Sequence, residues 1–293
     1  MQITPDRSWI EELTPGWTGE RFGTGRPRVP DDVLARLRTA TTEQAWQVLR
    51  EEGYPRQFAG GWFQTHPGTV LVGRAVTSVF LPHRPDLDQA VVTAGARAGH
   101  TAAGRQNSWI IDSLTTGDVM VTDIFGKIEN GTVVGDNLGT AVASRTGAGA
   151  VIDGGVRDLP GLAALENASF FCRGAHPTAI LDVTLGGINV PVRIGPATVL
   201  PGDVVLGTPT GVIFIPPHLA ELVAAAAEDV AVRDIFGKLR LAGRVYGPAE
   251  IDVPVWAPGI EADFQRWRRA RDPGSPSPPP SADRPPGSAR NER

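Results

Sequence analysis

One cysteine, Cys172, stands in 293 residues, so no internal disulfide can form. No apolar run reaches 18 residues, which excludes a membrane-spanning helix. No block of five or six like charges occurs, and 28 basic against 32 acidic side chains leave a net charge of −4. That balance gives no electrostatic footprint for a phosphate backbone, so neither a nucleic-acid nor a membrane partner is expected. Only two of the basic residues are lysines, Lys127 and Lys238. Amine chemistry therefore has two candidates in the whole chain. The start, Met1 to Asp6, has no basic stretch leading into an apolar one, and the expected location is a reducing cytoplasm.

What is present is ordinary globular composition, 41% hydrophobic and 20% charged. Residues 1–29, with Trp9, Trp17 and Phe22 among prolines and glycines, read as an irregular arm whose aromatics dock on the body. From 30 to 250 helical and strand patterns alternate. Pro30-Asp31-Asp32 opens one helix and Thr41 or Thr42 caps a second. Val70 to Phe80 is strand-like, Leu87 to Ala102 helical, and Gly117 to Val121 starts another strand. Leu138 to Arg145 reads as helix, Ala150 to Asp153 as a buried strand, and Asp158 to Asn167 as a short helix. The period then turns to β at 180–185, 188–194, 204–206 and 212–215 before a long helix from His218 to about Leu241. This is a layered α/β domain with strands in mixed directions and no internal boundary. A helical extension is expected over 251–272, where Ile260, Phe264 and Trp267 share a face. The last 21 residues, 273–293, hold seven prolines and no large apolar side chain and read as a disordered tail.

Familiar chemistry is mostly missing. There is no phosphate loop, no dinucleotide glycine pattern and no Gly-x-Ser-x-Gly elbow. The five histidines are scattered with no His-x-x-x-His pair, so a preformed zinc site is not expected. Cys172, in Phe170-Phe171-Cys172, reads as a small buried hydrophobe. Lys238 falls in the long helix, and Lys127 in a polar stretch, Gly126 to Gly131, where an ammonium stays hydrated.

One segment does carry a signal. Gly135-Asp136-Asn137-Leu138 ends a loop and begins a helix, so free backbone N–H groups and a positive dipole end face whatever sits there. Some twenty residues on, the strand ending at Asp153 leads through Gly154-Gly155-Val156 to Arg157-Asp158, a fixed cation beside a carboxylate at a strand mouth, where ligands of α/β sheets collect. The structural alternative is that Asp158 caps the following helix and Arg157 pairs with a surface acid.

These segments, with Arg145, Phe171-x-Arg173-Gly174, Asn189-Val190-Pro191-Val192, Pro201-Gly202-Asp203-Val204-Val205, Gly211-Val212 and Pro216, resemble the RraA-like family over roughly residues 35–220. That family contains the 4-hydroxy-4-methyl-2-oxoglutarate / 4-carboxy-4-hydroxy-2-oxoadipate aldolases and the ribonuclease E activity regulators. The resemblance implies a layered α/β/β/α fold with mixed sheets, in a single domain that here carries terminal extensions. It also implies a homotrimer or homohexamer with sites shared between subunits. It further implies a class II pyruvate aldolase, expected to cleave a 4-hydroxy-2-oxo acid or decarboxylate an oxaloacetate-like one through an enolate. In that reading Mg2+ or Mn2+ is held at Asp158, Arg157 stabilises the enolate, and the backbone of Gly135, Asp136, Asn137 and Leu138 holds the substrate carboxylate. The chemistry demands such parts, because a carbanion beside a carbonyl needs a Lewis acid, a cation or an iminium.

Two positions depart from the family pattern. Gly161 stands where an acid usually follows, and Thr210 replaces an aspartate before the last strand. Asp123, Asp153 and Glu166 are the conceivable replacement ligands. Two alternative functions remain at this level: another enolate-type step on the same site, such as dehydration, and a non-catalytic regulator-like binding protein.

Overall fold

The computed structural model describes residues 2–100 and 105–271. The tail expected at 273–293 lies outside the described residues. The chain divides into two compact units, one ending at Ala231 and the other beginning at Val232.

The first unit begins with helices α1 (Arg7–Leu13), α2 (Asp31–Leu37) and α3 (Thr42–Glu51). Thr41 caps α3 through a reciprocal pair with Gln44, which fixes where that helix starts. Two short strands, β1 (Phe58–Ala59) and β2 (Phe63–Gln64), precede the long β3 (Leu71–Pro82). Helices α4 (Pro85–Arg97) and α5 (Gln106–Asp112) follow, then β4 (Asp118–Asp123), β5 (Thr132–Val134), α6 (Asp136–Thr146), β6 (Gly149–Val156), α7 (Leu159–Ala163) and β7 (Ser169–Ala175). The later strands are β8 (Val183–Ile188), β9 (Val192–Ile194), β10 (Ala197–Val199), β11 (Val204–Thr208) and β12 (Gly211–Ile215), ahead of the long α8 (Ala220–Ala242).

Ten strands form one mixed sheet in the order β1-β12-β11-β3-β4-β6-β7-β2, with β5 also beside β6 and β8 beside β3; β9 and β10 make a separate hairpin. The pairs β3–β4, β4–β6, β5–β6 and β6–β7 are parallel, and the rest antiparallel. Because side chains alternate along a strand, each central strand feeds two cores. Met120 of β4, Ile124 just after it, Ile152 of β6 and Phe170 of β7 face the core that holds Val91, Trp109, Val142 and Leu162 of α4 to α7. Their neighbours Val121, Val151 and Phe171 face inward, against Val205, Val212 and Phe214 of β11 and β12 and Ile194 of the hairpin. On the far side Leu206, Ile213 and Ile215 meet Leu37, Leu49 and Val223 of α2, α3 and α8. The sheet thus folds over itself into an α/β/β/α stack.

The N-terminal segment is part of this packing. Ile3 is buried in the α4–α7 core. Arg26, 3% exposed, makes two hydrogen bonds to the wholly buried Asp118, at 2.7 and 2.9 Å.

In the second unit, α9 (Pro248–Ile251) and α10 (Pro258–Arg271) accompany the end of α8. Phe236, Trp256, Ile260 and Phe264 form a separate core there, with the Arg233 guanidinium 4.1 Å over the Trp256 ring. No helix among the described residues is long and apolar enough to cross a membrane.

Several elements differ from the sequence reading. The arm read as irregular contains helix α1, helix α5 and strand β7 have no counterpart in the sequence reading, the strand read over 188–194 is broken between β8 and β9, and α7 ends at Ala163 instead of reaching Asn167. The first four residues of β7, Ser169 to Cys172, are buried on both faces, so the apolar run shows no alternation to read.

Candidate active site

Strands β5 and β6 run parallel, with Val134 paired to Val156, so the residues just after them emerge side by side. After β5 comes Gly135, the N-cap of α6, and after β6 come Arg157 and Asp158. The backbone binds the two together, since the Arg157 N–H donates to Val134 O at 3.1 Å. Glycine at 135 lets the side chains of Arg157 and Asp158 lie against the backbone of the junction. A Cβ there would overlap Asp158 Oδ2 and lie 2.8 Å from Arg157 Nε.

The cation and the carboxylate are therefore gathered at the start of α6. Arg157 Nε stands 3.3 Å from Asp158 Oδ2, with the two side chains 42% and 44% exposed, so both remain open to a ligand. Asp158 holds a left-handed backbone, φ 55° and ψ 46°, which a short polar residue tolerates. Its side chain makes no capping hydrogen bond to α7. The structural alternative for Asp158, a helix cap, is thus removed.

The α6 terminus has no side-chain cap, because its N-cap is a glycine. Its first N–H groups lack intrahelical acceptors. The Asn137 N–H is taken by Asp136 Oδ1 at 2.7 Å, while the N–H groups of Asp136 and Leu138 stand at the positive end of the helix. A cavity of about 340 Å3 opens beside this turn, with Gly135, Leu138, Arg157, Arg105, Asn107 and Ser108 in its lining. It has two arginines and no acid in its wall. Sequence reasoning missed Arg105 and Asn107, because neither stands in a recognisable pattern and α5 itself was not foreseen.

The conceivable replacement ligands do not join this site as a cluster. Among the described residues no three histidine, cysteine or acidic side chains converge. Asp153 is engaged by Arg173 at 2.6 Å. Asp123 accepts the Phe125 N–H at 2.8 Å, and burial, with Asp153 beside it, pushes its carboxyl pKa up. Glu166 lines a different cavity, with Arg38 and His66. Thr210 borders a groove along α3 with Trp46 and Phe58. Cys172 is wholly buried and its thiol is pushed up to about 11 by that burial, so it is no nucleophile.

A family model described as Aldolase/RraA matches residues 39–214. The chain belongs to the RraA-like family. Among its RraA-like relatives, a Halalkalibacterium halodurans protein provisionally named a 4-hydroxy-4-methyl-2-oxoglutarate aldolase is 31% identical over 178 residues, spanning 59% of this chain and 83% of the relative. The crystal structure of Streptomyces coelicolor RraAS2, described as an unusual member of the RNase ES inhibitor RraA protein family, superposes with a TM-score of 0.62 at 26% identity. The match covers 73% of this chain and 98% of that one. An uncharacterised Pseudomonas syringae protein shares the fold at a TM-score of 0.61 and 23% identity, covering 78% and 94%. The RraA-like family thus includes aldolases and ribonuclease regulators, and the choice between them turns on the site.

Proposed function

We propose that this chain is a divalent-metal-dependent lyase that cleaves a 4-hydroxy-2-oxo acid to pyruvate and a second carbonyl compound. The observation that carries the reading is the closure of Arg157 and Asp158 onto Gly135. It puts a cation, the half-exposed carboxylate that it pairs with and the N–H groups of a helix start within one ligand's reach.

The donor set fits a hard cation. Asp158 offers oxygen, makes no capping bond, and is open to solvent on one side. A Mg2+ or Mn2+ ion needs one or two carboxylates when substrate and water supply the rest. Bound there, the ion would supply Lewis acidity to the 2-oxo group. The chain's own residues do the remainder. The α6 N–H groups bind the substrate carboxylate, and Arg157 presents a guanidinium to the carbonyl oxygen on which negative charge grows. In the cleavage the C3–C4 bond breaks and its electron pair passes through C2 to that oxygen. The C4 hydroxyl loses its proton to solvent as C4 becomes a carbonyl. Protonation at C3 then gives pyruvate. Decarboxylation of an oxaloacetate-like acid reaches the same enolate, with carbon dioxide as the second product.

Keeping an acid at Asp158 and an arginine at Arg157 favours this reading over that of a binding protein, for which neither group has an evident task. We further propose a cytoplasmic homotrimer or homohexamer as the working form. The test is release of pyruvate from synthetic 4-hydroxy-2-oxo acids with and without Mg2+. Release that needs the metal is expected, and absence of release from every such acid would reject the lyase.

A further inference from the structure

Two cavities share a wall beside the candidate site. The one next to Arg157 has Arg105, Asn107 and Ile180 in common with a neighbour of about 290 Å3. Arg105 Nη1 donates to Ile180 O at 2.9 Å, which ties the wall together. Asn107 is 3% exposed and donates from Nδ2 to Val133 O at 2.6 Å. Its Oδ1 has no hydrogen-bond partner among the described residues.

Beyond the wall the character of the lining changes. Phe80, Val92, Trp109 and Leu181 border the second cavity. Val92 and Leu181 are 40% and 48% exposed, so apolar surface there is left to solvent. Arg105 and Asp182, the charged residues of that lining, are of opposite sign. The first cavity is thus cationic and the second apolar, and a buried unpaired acceptor stands between them. Buried polar atoms without partners are uncommon and call for a ligand or an ordered water.

We propose that the site takes a 2-oxo acid whose distal end is an aromatic ring, seated in the cavity of Phe80, Val92, Trp109 and Leu181. The proposal rests on the reading of the Gly135–Arg157 end as the 2-oxo acid site. The ring covers the exposed surface of Val92 and Leu181 against the buried Phe80 and Trp109 of the same lining, which a carboxylate-bearing fragment would not do. A hydroxyl on the carbon between the two ends gives Asn107 Oδ1 the donor it lacks. Passage from one cavity to the other requires Arg105, a largely exposed residue, to release Ile180 O.

The test is calorimetric titration of the full chain in Mg2+ with phenylpyruvate and with pyruvate, repeated on Val92→Trp and Leu181→Arg. Both substitutions are at exposed positions outside the catalytic machinery. Phenylpyruvate is expected to bind at least about tenfold more tightly than pyruvate, the scale of a filled hydrophobic pocket. That advantage should vanish in both variants while pyruvate affinity stays unchanged. Equal affinities in the unmodified protein, absence of phenylpyruvate binding, or an advantage that survives both substitutions would overturn the proposal. Phenylpyruvate bound and lost as described, in a protein that releases pyruvate from no aldol, would keep the cavity assignment and reject the lyase.

Discussion

Gly161 and Asp136 stand so close that a Cβ on residue 161 would lie 2.5 Å from the Asp136 Cβ. The departure from the family pattern at 161 therefore has a steric meaning. In this chain the space an acidic side chain would enter there is filled by Asp136, which reaches it from the start of α6.

This pair makes the first prediction. Gly161→Ala should destabilise the fold by about 1–3 kcal/mol, as overpacking does. Adding Asp136→Gly, which removes the colliding atom, should recover part of that loss, giving a non-zero coupling in a double-mutant cycle read by denaturant titration. Additive effects would show that the α7 turn yields without touching Asp136.

Asp158→Asn is the sharper test of the carboxylate. Asparagine tolerates the left-handed backbone found at this residue. Melting should therefore stay near that of the unmodified protein, while Mn2+ affinity, followed by electron paramagnetic resonance, falls together with turnover. Unchanged Mn2+ binding would remove Asp158 from the metal site.

For Arg157→Lys, turnover should fall at least about tenfold, because a point-charge ammonium cannot reproduce a planar fork at the carbonyl oxygen. A weakened KM with an unchanged kcat would reassign Arg157 to ground-state binding.

How much of this was legible in the sequence differs element by element. Helices α2, α3, α6 and α8 announce themselves by caps and period, and the Asp136–Thr146 helix begins within two residues of its reading. The β1 and β2 edge strands, of two residues each, are too short to show a period. The Arg157-Asp158 dipeptide was legible because charge at a strand mouth is unusual in an apolar stretch. The approach of Gly135 to it was not, since it depends on the parallel register of β5 and β6, separated in the chain by the whole of α6. Nor could spacing reveal that Asp158 leaves α7 uncapped, or that Asn107 keeps a buried, unpaired oxygen.

Asp203 supplies a pH dependence unrelated to catalysis. It is 2% exposed and accepts one hydrogen bond, from the Leu200 N–H at 2.8 Å. Burial pushes its carboxyl pKa up to about 7. The folded pKa lies above the unfolded value of about 3.9. The acid is then neutral in the fold below pH about 7, and the stability linked to it is full below pH about 4 and lost as pH rises through about 7. Asp203→Asn cannot ionise, so the drop in melting temperature between pH 5 and pH 8 should be smaller in the variant. Parallel pH profiles would mean that Asp203 stays ionised or neutral throughout.

The central claim is that Arg157, Asp158 and the α6 start together stabilise a pyruvate enolate, and it can be measured without knowing the second fragment. Pyruvate incubated with the protein and Mg2+ in deuterium oxide should lose its methyl proton signal, because each enolisation at C3 returns a deuteron. The exchange should stop in excess chelator and in Asp158→Asn, and slow at least about tenfold in Arg157→Lys. Exchange at the uncatalysed rate in the metal-loaded protein, or full exchange persisting in Asp158→Asn, would contradict the account.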